Sequence, residues 1–402
     1  MHRSILALQG PASPFFGELT SSLRTRGHSV RRVNFCGGDL VYGRGNNCLN
    51  YTQPLAGLAS WYDDVIVRER VTDVLMFGDC REVHRPMHKI AHARGVRVHV
   101  FEEGYVRPYW LTLERHGVNG RSLLPRDPES YLAAQATTPP CPLGIETGYS
   151  LFERATHDMR YRAANFLFDG FFRHYQSHRP RNGVTEYAGL ARRALEGRGH
   201  RAKALVVARE LQASRRPFFL FPLQLNSDSQ IVVHSPFDGI RDAISKVVRS
   251  FALHAPKDSW LVIKNHPFDT GLIDYRLYAQ TLAQECDMGE RLRFIDAGHL
   301  PTLLDLARGV VVVNSTVGLS ALHHKRPLVT LGSAIYGMAG LTWQGSLDTF
   351  WTCGQAPNEQ LYRAFLNFVV HRTQINGDFY SQRGIGMAIP AAIQRIEESH
   401  AA

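Results

Sequence analysis

The 402-residue sequence has few cysteines, and none of the six (Cys36, Cys48, Cys80, Cys141, Cys286, Cys353) forms a CxxC pair or has zinc-site spacing. That excludes a zinc finger or a dithiol redox motif and reads as reduced thiols. No apolar run approaches the roughly 18 to 20 residues that cross a bilayer, so any membrane contact is expected to be peripheral. Residues 1–9 lack the basic start, apolar core and cleavage site of a signal peptide, which gives the expectation of a cytoplasmic protein. Long basic runs and nucleic-acid modules are absent too. The formal charge of +10, from 46 Lys and Arg against 36 Asp and Glu, is scattered along the chain. It therefore points away from nucleic acid and towards an anionic small molecule or a lipid headgroup. Neither a Walker pattern nor GxGxxG occurs, which disfavours nucleotide binding of the kinase or dehydrogenase type. There is no DxD, which is consistent with metal independence, and no cofactor is expected.

What is present is ordinary globular composition, 44% hydrophobic and 20% charged, in a chain longer than one core usually supports. Short apolar runs alternate with amphipathic stretches, the pattern of parallel sheets with crossover helices. The pattern predicts strands at Ser4–Gln9, Ser29–Phe35, Thr72–Phe77 and Val96–Phe101, with helices at Phe15–Arg26 and His84–Arg94. A second series follows at Phe218–Leu223, Trp260–Ile263, Leu292–Ile295, Gly309–Val313 and Pro327–Leu331. Residues 150–200 carry no strand signal and read as helical. The expected organisation is α/β, with Rossmann-like domains at 1–145 and 206–375, a helical bridge at 146–205 and a returning C-terminal helix at 376–402. Two such halves imply a cleft between them, as in the GT-B architecture.

In open parallel sheets ligands sit beyond the carboxyl ends of the strands, so the loops there are the places to search. Glu102-Glu103-Gly104 follows one strand and reads either as an acid, base or nucleophile site, with Gly104 admitting a ligand, or as an exposed acidic turn. Lys264, His266 and Pro267 follow another; a charged amine and an imidazole beside a rigid proline suit a phosphate, although a lone His-Pro is often structural. Asn314-Ser315-Thr316 precedes a helix and reads as an anion site, a plain N-cap, or both. Polar loops also hold Gly78-Asp79-Cys80-Arg81, Gln224 to Asp228 and Gly37-Gly38-Asp39. Asp79 and Arg81 read as a functional pair or a structural ion pair. Cys80 lacks a Cys-His signature and is rejected as a nucleophile.

Taken together, GPASPFF (10–16), VNFCGGD (33–39), LMFGDCREVHRP (75–86), FEEGYVRPYWLTLERHGVNGRS (101–122), FPLQLNSDSQI (221–231), IKNHP (263–267), NSTVGLSALHHKRP (314–327) and GLTWQGSLDTFW (340–351) resemble the capsule polysaccharide biosynthesis family of the KpsS/LipB type. The resemblance runs from about residue 4 to 355. It implies a retaining β-Kdo transferase that moves Kdo from CMP-Kdo to a phosphatidylglycerol-type lipid at the inner-membrane face, beside other capsule biosynthesis and export proteins. Glu103 takes the place of the catalytic carboxylate, with Glu102 and Asp79 near it. His266, Pro267, Lys264, Asn314, Ser315, Thr316, Gln224 and Asp228 fall to the donor, and Arg107, Arg81 and Ser13 to the sugar carboxylate or acceptor. Relatives often carry Asp where Glu103 stands, so the side chain here is one methylene longer. Two other functions are compatible with the motifs: transfer of another CMP-sugar of the sialic-acid kind, and a non-catalytic export or scaffold role.

Overall fold

The computed structural model describes residues 2–43, 47–177, 183–214, 216–226 and 229–398. They form two compact units, one of residues 1–123, 140–178 and 369–402, the other of 124–139 and 179–368. The chain thus leaves and re-enters each unit, where the sequence pattern placed boundaries at 145, 205 and 375. The region expected as a bridge is helical, and it is shared out: Leu151–Leu167 belongs to the first unit and Gly183–Ser214 to the second.

The first unit opens with β1 (Ser4–Ala7), β2 (Ser29–Asn34), β3 (Cys48–Asn50), β4 (Asp73–Phe77), β5 (Arg97–Glu103) and β6 (Trp110–Arg115). β1 to β5 are parallel, in the order β3-β2-β1-β4-β5, and β6 pairs antiparallel with β5. The helix Phe15–Thr25 buries Phe15, Phe16, Leu19 and Leu23, an i, i+4, i+8 stripe, each side chain contributing about 1.5–3 kcal/mol when fully buried. Gly95, at φ +66°, ends the helix Arg85–Arg94 in the left-handed conformation and turns the chain into β5.

The second unit holds β7 (Phe218–Pro222), β8 (Trp260–Lys264), β9 (Leu292–Ile295), β10 (Gly309–Val312) and β11 (Leu328–Thr330), all parallel, in the order β11-β10-β7-β8-β9. Every residue of β7, β8 and β10 is buried, which is why they read as continuous apolar runs. The chain then returns to the first unit as β12 (Gln374–Asn376), antiparallel to β6, and the helix Gln382–Glu398, which packs on Phe15–Thr25.

Both sheets share one logic. In the first, chain order runs outward from β1 on one side and from β4 on the other; in the second, from β7 and from β10. Each sheet therefore has a topological switch point, between β1 and β4 and between β7 and β10, where doubly wound sheets bind ligands.

Candidate functional site

At the switch point of the first unit, the loops after β1 and β4 are tied together by Arg81, whose Nη1 donates to Gln9 Oε1 and to the Gly10 carbonyl, both at 3.0 Å, with the guanidinium 5.0 Å from the centre of the Phe77 ring. Among the described residues Arg81 makes no ion pair with Asp79. The buried Asp79 carboxylate instead accepts from the Val118 N–H at 3.3 Å and lies 3.8 Å from Arg121 Nη1, so this acid anchors the loop after β6. Cys80 donates to Asp79 at 3.1 Å, and burial, with Asp79 beside it, pushes its thiol up to about 12. Ser13 is buried and accepts from the Phe15 N–H at 3.4 Å, at the start of its helix.

The two adjacent acids are strand residues, not a loop: β5 runs through Glu103, with Glu102 opposite Thr112 and Glu103 opposite Leu111 on β6. Neighbours on a strand face opposite ways. Glu102 Oε1 folds back to accept from the Glu103 N–H at 2.9 Å. Glu103 turns the other way, its Oε1 3.3 Å from the Tyr380 hydroxyl that donates to it and 3.5 Å from Arg154 Nη1. Gly104 has a structural reason to be glycine. A Cβ there would lie 2.1 Å from the Trp110 carbonyl oxygen, so the glycine exists for the close approach of β5 to β6. Arg107 is exposed, and among the described residues its hydrogen bond is from Nε to the Gly104 carbonyl at 3.2 Å.

Gly37-Gly38-Asp39 is likewise structural. Cβ atoms at the glycines would strike Ala164 and Tyr161 of the helix Leu151–Leu167, and buried Asp39 accepts from Gln9 at 2.9 Å, Tyr161 at 2.8 Å and the Phe35 N–H at 3.0 Å.

In the second unit, three adjacent parallel strands, β10, β7 and β8, bring their carboxyl-end residues to one sheet edge. There the structure gathers Asn314–Thr316, Gln224 and Lys264–Pro267. Gln224 and Asn314 bond to each other across the switch point, Gln224 Nε2 donating to Asn314 Oδ1 at 3.1 Å. Lys264 is 8% exposed, and among the described residues its ammonium makes one long hydrogen bond, 3.5 Å to the Asn265 carbonyl. Burial draws it below its usual value, against the pull of Asp296. Asp296 itself is claimed by Asn265 at 2.9 Å, by Arg193 at 3.1 Å and by Arg276. His266 Nδ1 accepts from the Phe268 N–H at 3.1 Å, so the neutral ring carries its proton on Nε2. Ser315 Oγ accepts from the Val317 N–H at 3.2 Å, as an N-cap residue does, and the Tyr336 hydroxyl donates to its carbonyl. The helix that follows, Val317–His323, has seven residues. Asp228 lies outside the described residues.

Sequence reasoning missed half-buried Arg154 and buried Tyr380 beside Glu103, because neither stands in a recognisable motif and their convergence is purely tertiary. It also missed Arg193, Arg276 and Asp296, the ion-pair network under the β8 loop.

No helix among the described residues is long and apolar enough to cross a membrane. A sequence profile of the family described as capsule polysaccharide biosynthesis protein matches residues 72–380. The chain is 35% identical over 379 residues to the capsule polysaccharide export protein KpsS of Escherichia coli, an alignment covering 94% of this chain and 97% of the relative. It is 32% identical over 389 residues to the capsule polysaccharide modification protein LipB of Neisseria meningitidis serogroup B, covering 94% and 92%. Among solved structures, the KpsC β-Kdo 2,7 transferase of Thermosulfurimonas dismutans aligns with a TM-score of 0.48 and 14% identity over 98% of this chain and 99% of that one. A profile match across most of the sequence, with identity above 30% along nearly whole relatives, establishes that the chain belongs to the capsule polysaccharide biosynthesis family.

Proposed function

We propose that this protein is a retaining β-Kdo transferase that moves Kdo from CMP-Kdo to a phosphatidylglycerol-type lipid and so starts the Kdo linker of a capsular polysaccharide. The observation that carries the reading is the buried ammonium of Lys264. A charge taken out of water and given one long hydrogen bond is costly unless an anion meets it. The groups around it are already balanced, since Arg193 and Arg276 face Asp269 and Asp296, which leaves the Lys264 charge for a ligand. With the His266 Nε2–H on the same loop, it suits the phosphate of CMP, and fixed donors there stabilise the charge that develops as CMP departs. Donors of this kind supply that stabilisation without a metal ion. In the first unit, Glu103 is the carboxylate offered to the anomeric carbon, and retention implies two successive displacements. The terminal nitrogens of exposed Arg107 suit the sugar carboxylate bidentately.

A membrane contact is supported by the helix Leu151–Leu167. Phe152, Met159 and Phe166, at i, i+7 and i+14, share one face and are 79%, 50% and 85% exposed, while Tyr161 and Ala164 on the opposite side are buried. An exposed apolar row of this kind suits the lipid interface where the acceptor resides.

The test is calorimetric binding of CMP followed by transfer. Lys264→Met is expected to weaken CMP binding about 10- to 100-fold, the worth of one hydrogen bond to a charged group. Wild-type protein given CMP-Kdo and a lyso-phosphatidylglycerol should yield a product heavier by one Kdo, with or without EDTA. Turnover with CMP-sialic acid in place of CMP-Kdo would reassign the donor. CMP binding with no turnover on either would leave an export or scaffold role.

A further inference from the structure

We propose that Arg154 and Tyr380 are positioning residues for Glu103: they hold one carboxylate oxygen, Oε1, so that the other, Oε2, is presented to the substrate. The inference rests on the reading of Glu103 as the reacting carboxylate.

Three segments far apart in sequence meet at one oxygen. Glu103 ends β5, Arg154 lies in the first turn of the helix Leu151–Leu167, and Tyr380 precedes the helix Gln382–Glu398. The Tyr380 hydroxyl donates to Oε1 at 3.3 Å, and Arg154 Nη1 approaches the same atom at 3.5 Å. Among the described residues no hydrogen bond reaches Oε2, and Oε1 is the oxygen that Arg154 approaches. Both donors converge on one oxygen of a side chain that is 31% exposed.

The donors are themselves fixed. The Arg154 guanidinium lies 4.7 Å from the centre of the Tyr380 ring and donates to the Tyr149 hydroxyl at 3.3 Å, and the Tyr149 and Tyr380 rings meet edge to face at 6.1 Å. Tyr380 follows Phe379, which is buried edge-on against Phe15 at 4.9 Å and Phe77 at 5.0 Å. Its N–H donates to Asp378 at 2.7 Å, and the Ser381 hydroxyl donates to the Thr147 carbonyl at 2.8 Å. Ser150 caps the helix that carries Arg154, accepting from the Phe152 N–H at 3.2 Å. Distances of 3.3 and 3.5 Å are of the length such contacts show before substrate tightens them. Glu102, one residue earlier, turns its Oε1 back onto the backbone, where it accepts from the Glu103 N–H at 2.9 Å. The two acids, adjacent in sequence, thus turn to different surroundings.

The experiment is steady-state transfer by Arg154→Met, Arg154→Lys, Tyr380→Phe and Glu103→Gln, each with its thermal midpoint. Arg154→Met is expected to lower kcat about 100-fold, the effect of a misplaced reacting group, with KM for the CMP-sugar within about 3-fold of wild type. Arg154→Lys, and guanidinium ion added to Arg154→Met, should recover at least 10-fold of that loss, which a role limited to folding would not permit. Tyr380→Phe should cost a smaller factor in kcat. Wild-type kcat in both Arg154→Met and Tyr380→Phe, with Glu103→Gln inactive, overturns the inference. So does a rise in KM at unchanged kcat, which would make Arg154 a substrate ligand. If Arg154→Met fails to fold, the lysine and phenylalanine variants decide it. Turnover by Glu103→Gln at the wild-type rate instead removes the reading on which the inference rests.

Discussion

Gln224 and Asn314 bond to each other twice, the Gln224 amide donating to Asn314 Oδ1 at 3.1 Å and the Asn314 N–H donating to Gln224 Oε1 at 3.3 Å. Both are 6% exposed, and they join the loops after β7 and β10 at the point where the second sheet reverses its order. Their amides thus tie the two loops together. Asn314→Ala would leave a buried amide unpaired and also release the His234 carbonyl, to which Asn314 Nδ2 donates at 3.1 Å. The expected loss is about 1–3 kcal/mol, read as a lowered calorimetric Tm, together with weaker CMP binding. A variant with unchanged Tm and weakened CMP binding would place the Asn314 amide on the ligand instead.

Cys80 sits among the candidate residues but is held as a thiol. Burial and the neighbouring Asp79 push it up to about 12, so at neutral pH almost none is thiolate, and the thiolate is the reactive form. Cys80→Ser should keep transfer within a few-fold of wild type. Iodoacetamide at pH 7.5 should label exposed Cys353 first and leave Cys80 unmodified in the folded protein, as peptide mapping would record. Rapid labelling of Cys80 with loss of transfer would contradict this.

Much of the fold was legible because the parallel strands are buried on both faces and so stand out as apolar runs; Leu292–Ile295 falls where the pattern placed it, and most others within two residues. The antiparallel additions β6 and β12 and the short parallel edge strand β3 were hidden. β6 buries Thr112 and Glu114, the latter accepting from the Tyr105 hydroxyl at 2.5 Å, so its polar residues do not mark a solvent face. β3 and β12 have three residues each, too few for a period to show. At the site, the loops were legible but the partners were not. Asp79 beside Arg81 in sequence suggested a pair, whereas each bonds to a different element, and nothing in the order of residues 378–381 announces that Tyr380 meets Glu103.

The exposed row of the helix Leu151–Leu167 makes a direct prediction for membrane contact. Phe152→Ser combined with Phe166→Ser removes two large apolar side chains, each worth about 1.5–3 kcal/mol when fully buried. Even partial insertion implies at least a tenfold loss of co-sedimentation with vesicles of phosphatidylglycerol and phosphatidylethanolamine. The opposite face, which buries Tyr161 and Ala164, is untouched, so the Tm should hold. Undiminished sedimentation of the double variant would assign vesicle binding to another surface.

Acid should unfold the first unit through a chain of carboxylates at the end of its sheet opposite the candidate site. Arg3 donates to Asp73 at 2.9 Å and to the Glu397 carbonyl at 2.7 Å; Asp73 also holds Arg97 at 2.7 Å and His99 at 2.8 Å. Burial works to raise Asp73, but His99, Arg97 and Thr72 together bring it well below the ordinary carboxylate range. Glu397, gripped by Arg26 at 2.8 and 2.7 Å and by His28 at 3.0 Å, is lowered to about 2. A carboxyl depressed in the folded state adds stability above its unfolded value, and that stability is lost as pH falls towards the folded one. His99, drawn below its usual value by burial, adds a loss that begins as pH falls through about 6.5, where the unfolded imidazole takes up its proton. Urea melts from pH 7 to pH 3 should therefore show stability declining first near pH 6.5 and more steeply below about pH 4.5. Glu397→Gln should flatten the part below pH 4.5. Asp73→Asn should cost about 3–5 kcal/mol at pH 7, because it strands buried Arg3 without its counter-charge. A wild-type stability that stays level from pH 7 to pH 3, with Asp73→Asn no weaker than wild type, would show that this cluster does not hold the sheet edge together.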